Sequence, residues 1–360
     1  MVAKKFSGTT KGPANHPLPR GSYVKLDARH VAAQKALEAY LRIGRHRTRQ
    51  VAVRNALFDG ASASAESTVT GNTNIIGTSI SEKQSRGSLT GRPCIRVYVQ
   101  SKISDESSIE STFLVPKRVP DVNGIETDVV EVGVIRQWAV NDGNFPRPVP
   151  CGVGIAAAFT NAAGTREVGT LGARCVVNNQ WAILSNNHVL ALNDQLPLGT
   201  YIVQDGLGVT PTDVIGQLSN KVPLSEASPN SVDAAIALSG NQYVAGTFSY
   251  KLNPTPMTAT PYQSVRKDGY MTGTTSGQIV ALSANVDITA ADGRVFPFEG
   301  MIEIQGVGGM PFSAGGDSGS LVVSLPDFRP VAMIVGGSGQ LTFASPIQAV
   351  MDALSIERFG

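Results

Sequence analysis

The chain has 360 residues, enough for two domains or slightly more, and its 30 Lys/Arg nearly balance its 28 Asp/Glu at a net charge of +2. Its 38 Gly and 21 Pro, spread among Val, Ile and Thr runs, favour β architecture over helix. No run approaches the roughly 18 apolar residues of a membrane helix, no apolar stretch follows the first eight residues, and Cys94, Cys151 and Cys175 fit neither a disulfide framework nor a zinc site, so a membrane span, a secretory signal and a structural metal are not expected.

The near-neutral total hides an asymmetry. Residues 1–60 hold 12 Lys/Arg and 3 Asp/Glu, a net of +9, while the remainder carries 18 against 25, or −7. Within this basic arm, Asp27 to Leu41 reads as a helix: Asp27 is an N-cap, Ala-rich residues follow, and Gly44 is a stop. Val31, Leu37, Tyr40 and Leu41 make a modest apolar stripe, and Arg42, Arg45, Arg47 and Arg49 follow it. No aromatic interleaving or recognition module accompanies the charge. A solvated arm, or one docked on the chain's own acidic half, therefore fits better than a nucleic-acid arm.

Residues 60–72 are a small-residue linker. Beyond it, residues 73–137 read as a small α/β module, βαβ-like, with a regulatory or positioning role. Asn74–Ile80, Cys94–Val99 and Thr127–Val132 are its strands, and Asp105–Leu114, capped from Ser104, its short helix. The run Asn141–Pro150 breaks regular structure.

The chemistry lies after residue 150. Gly316-Asp317-Ser318-Gly319-Ser320 precedes an apolar strand. Small neighbours let a carbonyl approach the Ser318 hydroxyl and leave backbone N–H groups free to face an oxyanion. A surface turn is the bland reading of this string. A serine needs a base, and of His16, His30, His46 and His188 only His188 shares its half of the chain. His188 ends the apolar strand Trp181–Leu184 after Ser185-Asn186-Asn187. The base needs a carboxylate to hold its tautomer. Most acids between His188 and Ser318, Asp194 among them, read as turn residues. Asp233 instead enters the small, apolar strand Ser231–Leu238, where a carboxylate is costly unless paired. The order is His, Asp, Ser, with 45 and 85 residues between them, and no Gly-x-Ser-x-Gly elbow is present.

With three further blocks, these residues make the segment 150–356 resemble a trypsin/chymotrypsin-like serine peptidase of the streptogrisin/α-lytic branch. The blocks are Val265–Gly273 with Ser276–Leu282, Ala332–Gly339 with Thr342–Ile347, and the terminal Gln348–Leu354. The whole chain is similar to cytosolic trypsin-like peptidases that carry an N-terminal α/β module. The resemblance implies a mainly β fold: two six-stranded antiparallel β-barrels, preceded here by the α/β module and the helical arm. It makes Ser318 the nucleophile, His188 the base and Asp233 its orienting carboxylate. The N–H groups of Gly316 and Ser318 become the oxyanion hole, and Val335, Gly336 and Gly337 the edge that pairs with an extended substrate.

Departures from the family pattern carry information too. Val335 stands where a serine usually bonds the aspartate. Phe312 occupies the floor position where trypsin-like enzymes carry an aspartate, so a small or apolar residue before the scissile bond is expected rather than Arg or Lys. Val189 replaces the cysteine after the histidine, with Cys175 as a relic of its partner, and Ser276 replaces another disulfide cysteine. The lost disulfides point to a reducing cytoplasm. Asp317, which a freed N-terminus pairs in zymogen-activated relatives, is expected to pair with Lys267 and keep the oxyanion loop formed.

No metal or cofactor is implied, and the partner is a protein or peptide substrate, with neither membrane nor nucleic acid expected and self-association left open. Three functions stay open: an intracellular serine endopeptidase, a catalytically silent scaffold of the same fold, and a peptidase that mainly processes its own N-terminal region.

Overall fold

The computed structural model describes residues 28–41, 74–85, 88–103, 114–120, 122, 124–132, 135, 145–160, 166–204, 213–339 and 341–360. The linker expected at 60–72 and the helix expected from Asp105 (Leu114 excepted) lie outside them. So does the basic arm, apart from 28–41.

Two curled antiparallel sheets form the body. The first contains β4 (Gly154–Ala157), β5 (Val168–Thr170), β6 (Ala173–Val177), β7 (Gln180–Ser185), β8 (Tyr201–Gln204), β9 (Val214–Lys221) and β10 (Ala235–Leu238). Strand β5 pairs with β4 and β6 with β7, and only Leu171-Gly172 separates β5 from β6. They are the two halves of one bent strand, so the circuit β6-β7-β10-β9-β8-β4-β5 closes on itself as a six-stranded barrel. The turn between β6 and β7 is Asn178-Asn179, both at positive φ, as a two-residue hairpin requires. The β7 run is apolar without alternation because both its faces are covered. Ile183 faces the barrel core with Leu218 and Ala237. Ala182 and Leu184 face a second cluster with Leu321, Met333 and α3 (Ile347–Leu354).

The second barrel comprises β11 (Ser264–Gly269), β12 (Gly273–Thr289), β13 (Val295–Gly306), β14 (Leu321–Ser324), β15 (Pro330–Ser338) and β16 (Leu341–Pro346). Pairing of β11 with β12 closes these six strands. A two-residue strand, β17 (Arg358–Phe359), adds to the open edge of β6. Helix α3 buries Ile347, Val350, Met351 and Leu354, each worth about 1.5–3 kcal/mol against exposure.

The outer halves of β12 and β13 run past the second barrel, bent by register shifts between Ile279 and Val286. There β1 (Ile75–Ser85) pairs with β12, followed by β2 (Ser88–Val99) and β3 (Glu126–Glu131), in a nine-stranded sheet. The segment read as a small α/β module thus extends the sheet of the second barrel, with β2 and β3 parallel. Helix α1 (Ala28–Tyr40) covers one face of this extension through Ala33 and Leu37, with Leu41 just beyond its end. Tyr40, expected in the apolar stripe, is 45% exposed, and Gln34 is buried instead, bonded to Thr78 Oγ1. On the other face Arg96 reaches Glu303 of β13 at 2.9 Å with both side chains buried, and Tyr98 packs edge-on to Phe343. No helix among the described residues is long and apolar enough to cross a membrane.

Candidate active site

His188 and Asp233 meet at the floor of the first barrel. Strand β7 ends at Ser185, and a single helical turn, α2 (Asn187–Leu190), follows and carries His188. Asp233 lies two residues before β10, which pairs with β7 through Ala235 and Ser185. This register brings the two side chains together although 45 residues separate them. His188 Nδ1 lies 2.5 Å from Asp233 Oδ2, and both residues are at most 1% exposed. Asp233 Oδ1 accepts the N–H groups of Asn187 (2.7 Å) and His188 (3.2 Å). A carboxylate so bonded stays an acceptor, which places the ring proton on Nδ1 and leaves Nε2 with a lone pair. Nε2 is buried and has no hydrogen-bond partner.

Ser318 sits on the loop between β13 and β14. Gly316 adopts φ +99°, a conformation closed to side chains without strain, and this turn lifts Ser318 to the head of β14. Among the described residues the N–H groups of Gly316 and Ser318 have no acceptor, whereas Asp317, Gly319 and Ser320 all donate to backbone carbonyls. The loop is tied to the first barrel: Thr170 N donates to Ser318 O at 2.8 Å, and Thr170 Oγ1 to Gly316 O at 2.7 Å. A Cβ on Gly169 would stand 2.9 Å from Ser318 O and 2.3 Å from Val189 Cγ2. The serine loop and the histidine turn therefore meet across Gly169. Ser318 Oγ itself donates to Val335 O at 3.0 Å.

Asp317 turns the other way. Lys267 Nζ lies 3.0 Å from Asp317 Oδ2, and neither side chain has any exposure. Asp317 also accepts from Met271 N, Thr272 N, Thr272 Oγ1 and Ala314 N. Burial holds the Lys267 amine below its ordinary range, and the Asp317 carboxylate pulls it back up. Half-buried Glu167, just before β5, is a further acid within electrostatic reach of His188. Burial raises its carboxyl, and the His188 charge works against that shift.

The specificity positions are buried. Phe312 packs inside the second barrel with Ile279, Ile304 and Val322, and its carbonyl accepts from Thr275 Oγ1. Gly336 and Gly337 pair with Phe343 and Thr342 of β16. Val335 offers no hydroxyl to Asp233 and packs instead with Val132, Ile135 and Phe343. Just beyond, Ser338 Oγ donates to Val132 O, and Thr289 N donates to Ile135 O. Val132 is thus bonded to the end of β15 and Ile135 to the end of β12, in the same apolar cluster as Val335, which was expected to take substrate. Ser318 has no exposure and His188 1%.

One expectation fails. Cys175 does not face Val189: it pairs with Ala182 and Phe359 and packs in the cluster under α3, whereas Val189 belongs to the first barrel's core. The residue against Val189 is Gly169. The likeness of the two cysteine positions in sequence misled because the bend at Leu171-Gly172 shifts which residues face inward. Sequence reasoning also passed over Thr170, Asn186 and Asn187. The Asn-Asn pair directly before the histidine was the available signal, since two buried amides need partners. Among the described residues no three His, Cys, Asp or Glu side chains gather to hold a metal.

No protein-family model and no curated protein matches this sequence. Solved structures of serine proteases are similar to it. A glutamic-acid-specific serine protease shares 18% identity, with 58% of this chain and 98% of that one covered at a TM-score of 0.41. Protease A of Thermobifida fusca shares 15%, with 59% and 100% covered at 0.40. A chymotrypsin of Cellulomonas bogoriensis shares 19%, with 58% and 96% covered at 0.39.

Proposed function

We propose that the chain is an intracellular serine endopeptidase working through His188, Asp233 and Ser318. The observation that carries this reading is the buried His188–Asp233 pair at 2.5 Å, whose outer nitrogen is left without a partner. A substrate draws Ser318 Oγ off the Val335 carbonyl and onto Nε2. Oγ then attacks the scissile carbonyl carbon as its proton passes to Nε2. The oxyanion faces the two N–H groups of Gly316 and Ser318, a donor of this kind being worth about 3–4 kcal/mol. The imidazolium, held by Asp233, returns the proton to the leaving amine, and water cleaves the acyl-enzyme by the same route. Lys267 and Asp317 keep the loop that presents the two N–H groups. With Phe312 rather than a carboxylate at the pocket floor, a small or apolar residue precedes the scissile bond. The three cysteines, buried and free, suit a reducing compartment.

A fluorophosphonate tests the reading. It should label Ser318 in the wild type and nothing in Ser318→Ala; a wild type that stays unlabelled makes the protein a silent scaffold.

A second reading, self-processing, is favoured by Val132 and Ile135, which share an apolar cluster with Val335, and by Ser338, which bonds the Val132 carbonyl. The first bond cut would lie in the chain that follows Ile135. The intact 37.7 kDa mass should then fall with time in the wild type and persist in Ser318→Ala. A wild type that labels yet keeps its full mass rules this out.

A further inference from the structure

His188 sits on a helical turn of only four residues whose N-cap residue, Asn186, does not cap the turn's own N–H groups with its side chain. Such a turn does not hold its own orientation. Its fixation comes from residues outside the proposed triad. The Asn187 side chain, fully buried, points away from the triad and donates to Asp194 Oδ1 at 2.8 Å and to Val222 O at 2.7 Å. Asp194 N donates back to Asn187 Oδ1 at 3.0 Å, so the amide's donors and acceptor are all engaged, by Asp194 and by Val222 just after β9. Asp194 is itself held: Leu224 N donates to its Oδ2 at 2.6 Å, and Lys221 Nζ lies 3.3 Å from its Oδ1. Lys221 also donates to the carbonyls of Asp194 and Leu196. Leu192, Asn193 and Asp194 all have positive φ, at 49°, 52° and 71°. Three successive non-glycine residues there are strained, and the strain is what brings the Asp194 carboxylate under Asn187.

The backbone of the same Asn187 donates to Asp233 Oδ1, and Asn186 Nδ2 donates to Asp233 O at 2.6 Å. One short turn is thus gripped from both ends, by Asp233 on one side and by the Asp194 loop on the other. Val335 cannot give Asp233 a side-chain hydrogen bond. The Asn187 and His188 N–H groups help to orient the carboxylate, and so does the hold on Asn187.

We propose that Asn187 and Asp194 are positioning residues that aim His188 and Asp233 at each other. This rests on the peptidase reading for its activity arm, not for its structural arm. The test uses the full chain as wild type, Asn187→Ala, Asp194→Ala, their double variant, Asp194→Asn and Lys221→Met. Two readouts are taken: the second-order rate of fluorophosphonate labelling at Ser318 by mass spectrometry, and the far-downfield proton resonance of the His188 Nδ1–H.

Asn187→Ala and Asp194→Ala should each slow labelling by about tenfold to a hundredfold, the effect of a misplacement near 1 Å, and should weaken or erase the downfield resonance. The double variant should be no slower than the worse single one, since both cut the same link. Asp194→Asn keeps an acceptor for Asn187 and should fall between wild type and Asp194→Ala. Lys221→Met loosens the hold on Asp194 but leaves its carboxylate in place for Asn187, so it should slow labelling less than Asp194→Ala. Wild-type labelling rates and an intact resonance in both alanine variants overturn the proposal. If the wild type does not label at all, the peptidase reading falls, and the resonance alone still decides this one.

Discussion

Replacing Lys267 by Met keeps the length of the side chain and removes its charge from a site without solvent. Asp317 then loses its counter-charge at 3.0 Å but keeps four donors, from Met271, Thr272 (N and Oγ1) and Ala314. Removing one member of a buried pair costs about 3–5 kcal/mol, and four remaining donors put this variant at the low end, about 3 kcal/mol. Asp317→Asn is the harsher change. It leaves the Lys267 ammonium buried with neutral acceptors and no carboxylate, among them Thr272 Oγ1 and Gly273 O, which places it near 5 kcal/mol. The order of the two variants, not either value alone, follows from the structure. Asp317 also joins the 271–272 turn to the loop bearing Gly316 and Ser318, so losing Lys267 should misplace an oxyanion donor. Loss of one donor is worth about a hundredfold or more in rate. Urea titration gives the stabilities, and fluorophosphonate labelling gives the reactivity. A Lys267→Met protein within about 1 kcal/mol of wild type that labels at the same rate would refute the argument.

Other outcomes follow from the same geometry. Arg96→Met should cost about 3–5 kcal/mol because it strands the buried Glu303, whereas Lys83→Met, in a part-exposed pair with Glu126, should cost about 1 kcal/mol or less; equal losses in urea titration would contradict this. Gly169→Ala should destabilise by about 1–3 kcal/mol, its methyl meeting Val189 Cγ2. Adding Val189→Ala should recover part of that loss, and no recovery would place the clash elsewhere. Burial pushes the thiols of Cys94, Cys151 and Cys175 up to about 12 from 9.0. The folded state then holds protons that the unfolded state releases above pH 9, so stability is full below 9.0 and falls as pH rises toward 12. Urea midpoints at pH 8 and pH 10 should show the fall, less steeply in Cys175→Ala, and iodoacetamide at pH 8 should modify these thiols only after unfolding. A native protein alkylated at any of the three would count against their burial.

The legible part of the site was the part written in short stretches. An apolar strand running into Asn186-Asn187-His188, an acid opening a small apolar strand, and a serine among glycines each announce themselves within ten residues. The strands at 74–80, 94–99 and 127–132 were legible by their apolar content, and the helix near 28–40 by its alanines and stop. Asp194 was not legible: next to Asn193 it looks like any turn acid, and its value lies in the left-handed backbone that carries it to Asn187. The facing of Gly169 and Val189 was hidden as well, because a bend of two residues resets inward and outward. The sheet extension by β1 was hidden because no local pattern tells a strand which edge it will join.

Local patterning by itself therefore carried the β architecture and singled out His188, Asp233 and Ser318 as chemically distinct residues, whereas the Lys267–Asp317 pair, 3.0 Å apart in the structure, was expected only through the family resemblance. Tertiary structure alone decided that Ser318 bonds the Val335 carbonyl, that Ser338 of β15 bonds the Val132 carbonyl, and that the Asn187 amide is shared between Asp194 and Val222. The first two are set by strand register and strand curvature, and the third by a left-handed backbone at 192–194 that no local pattern announces. Hydrophobic periodicity specifies which face of a strand is buried, but not what will be buried against it.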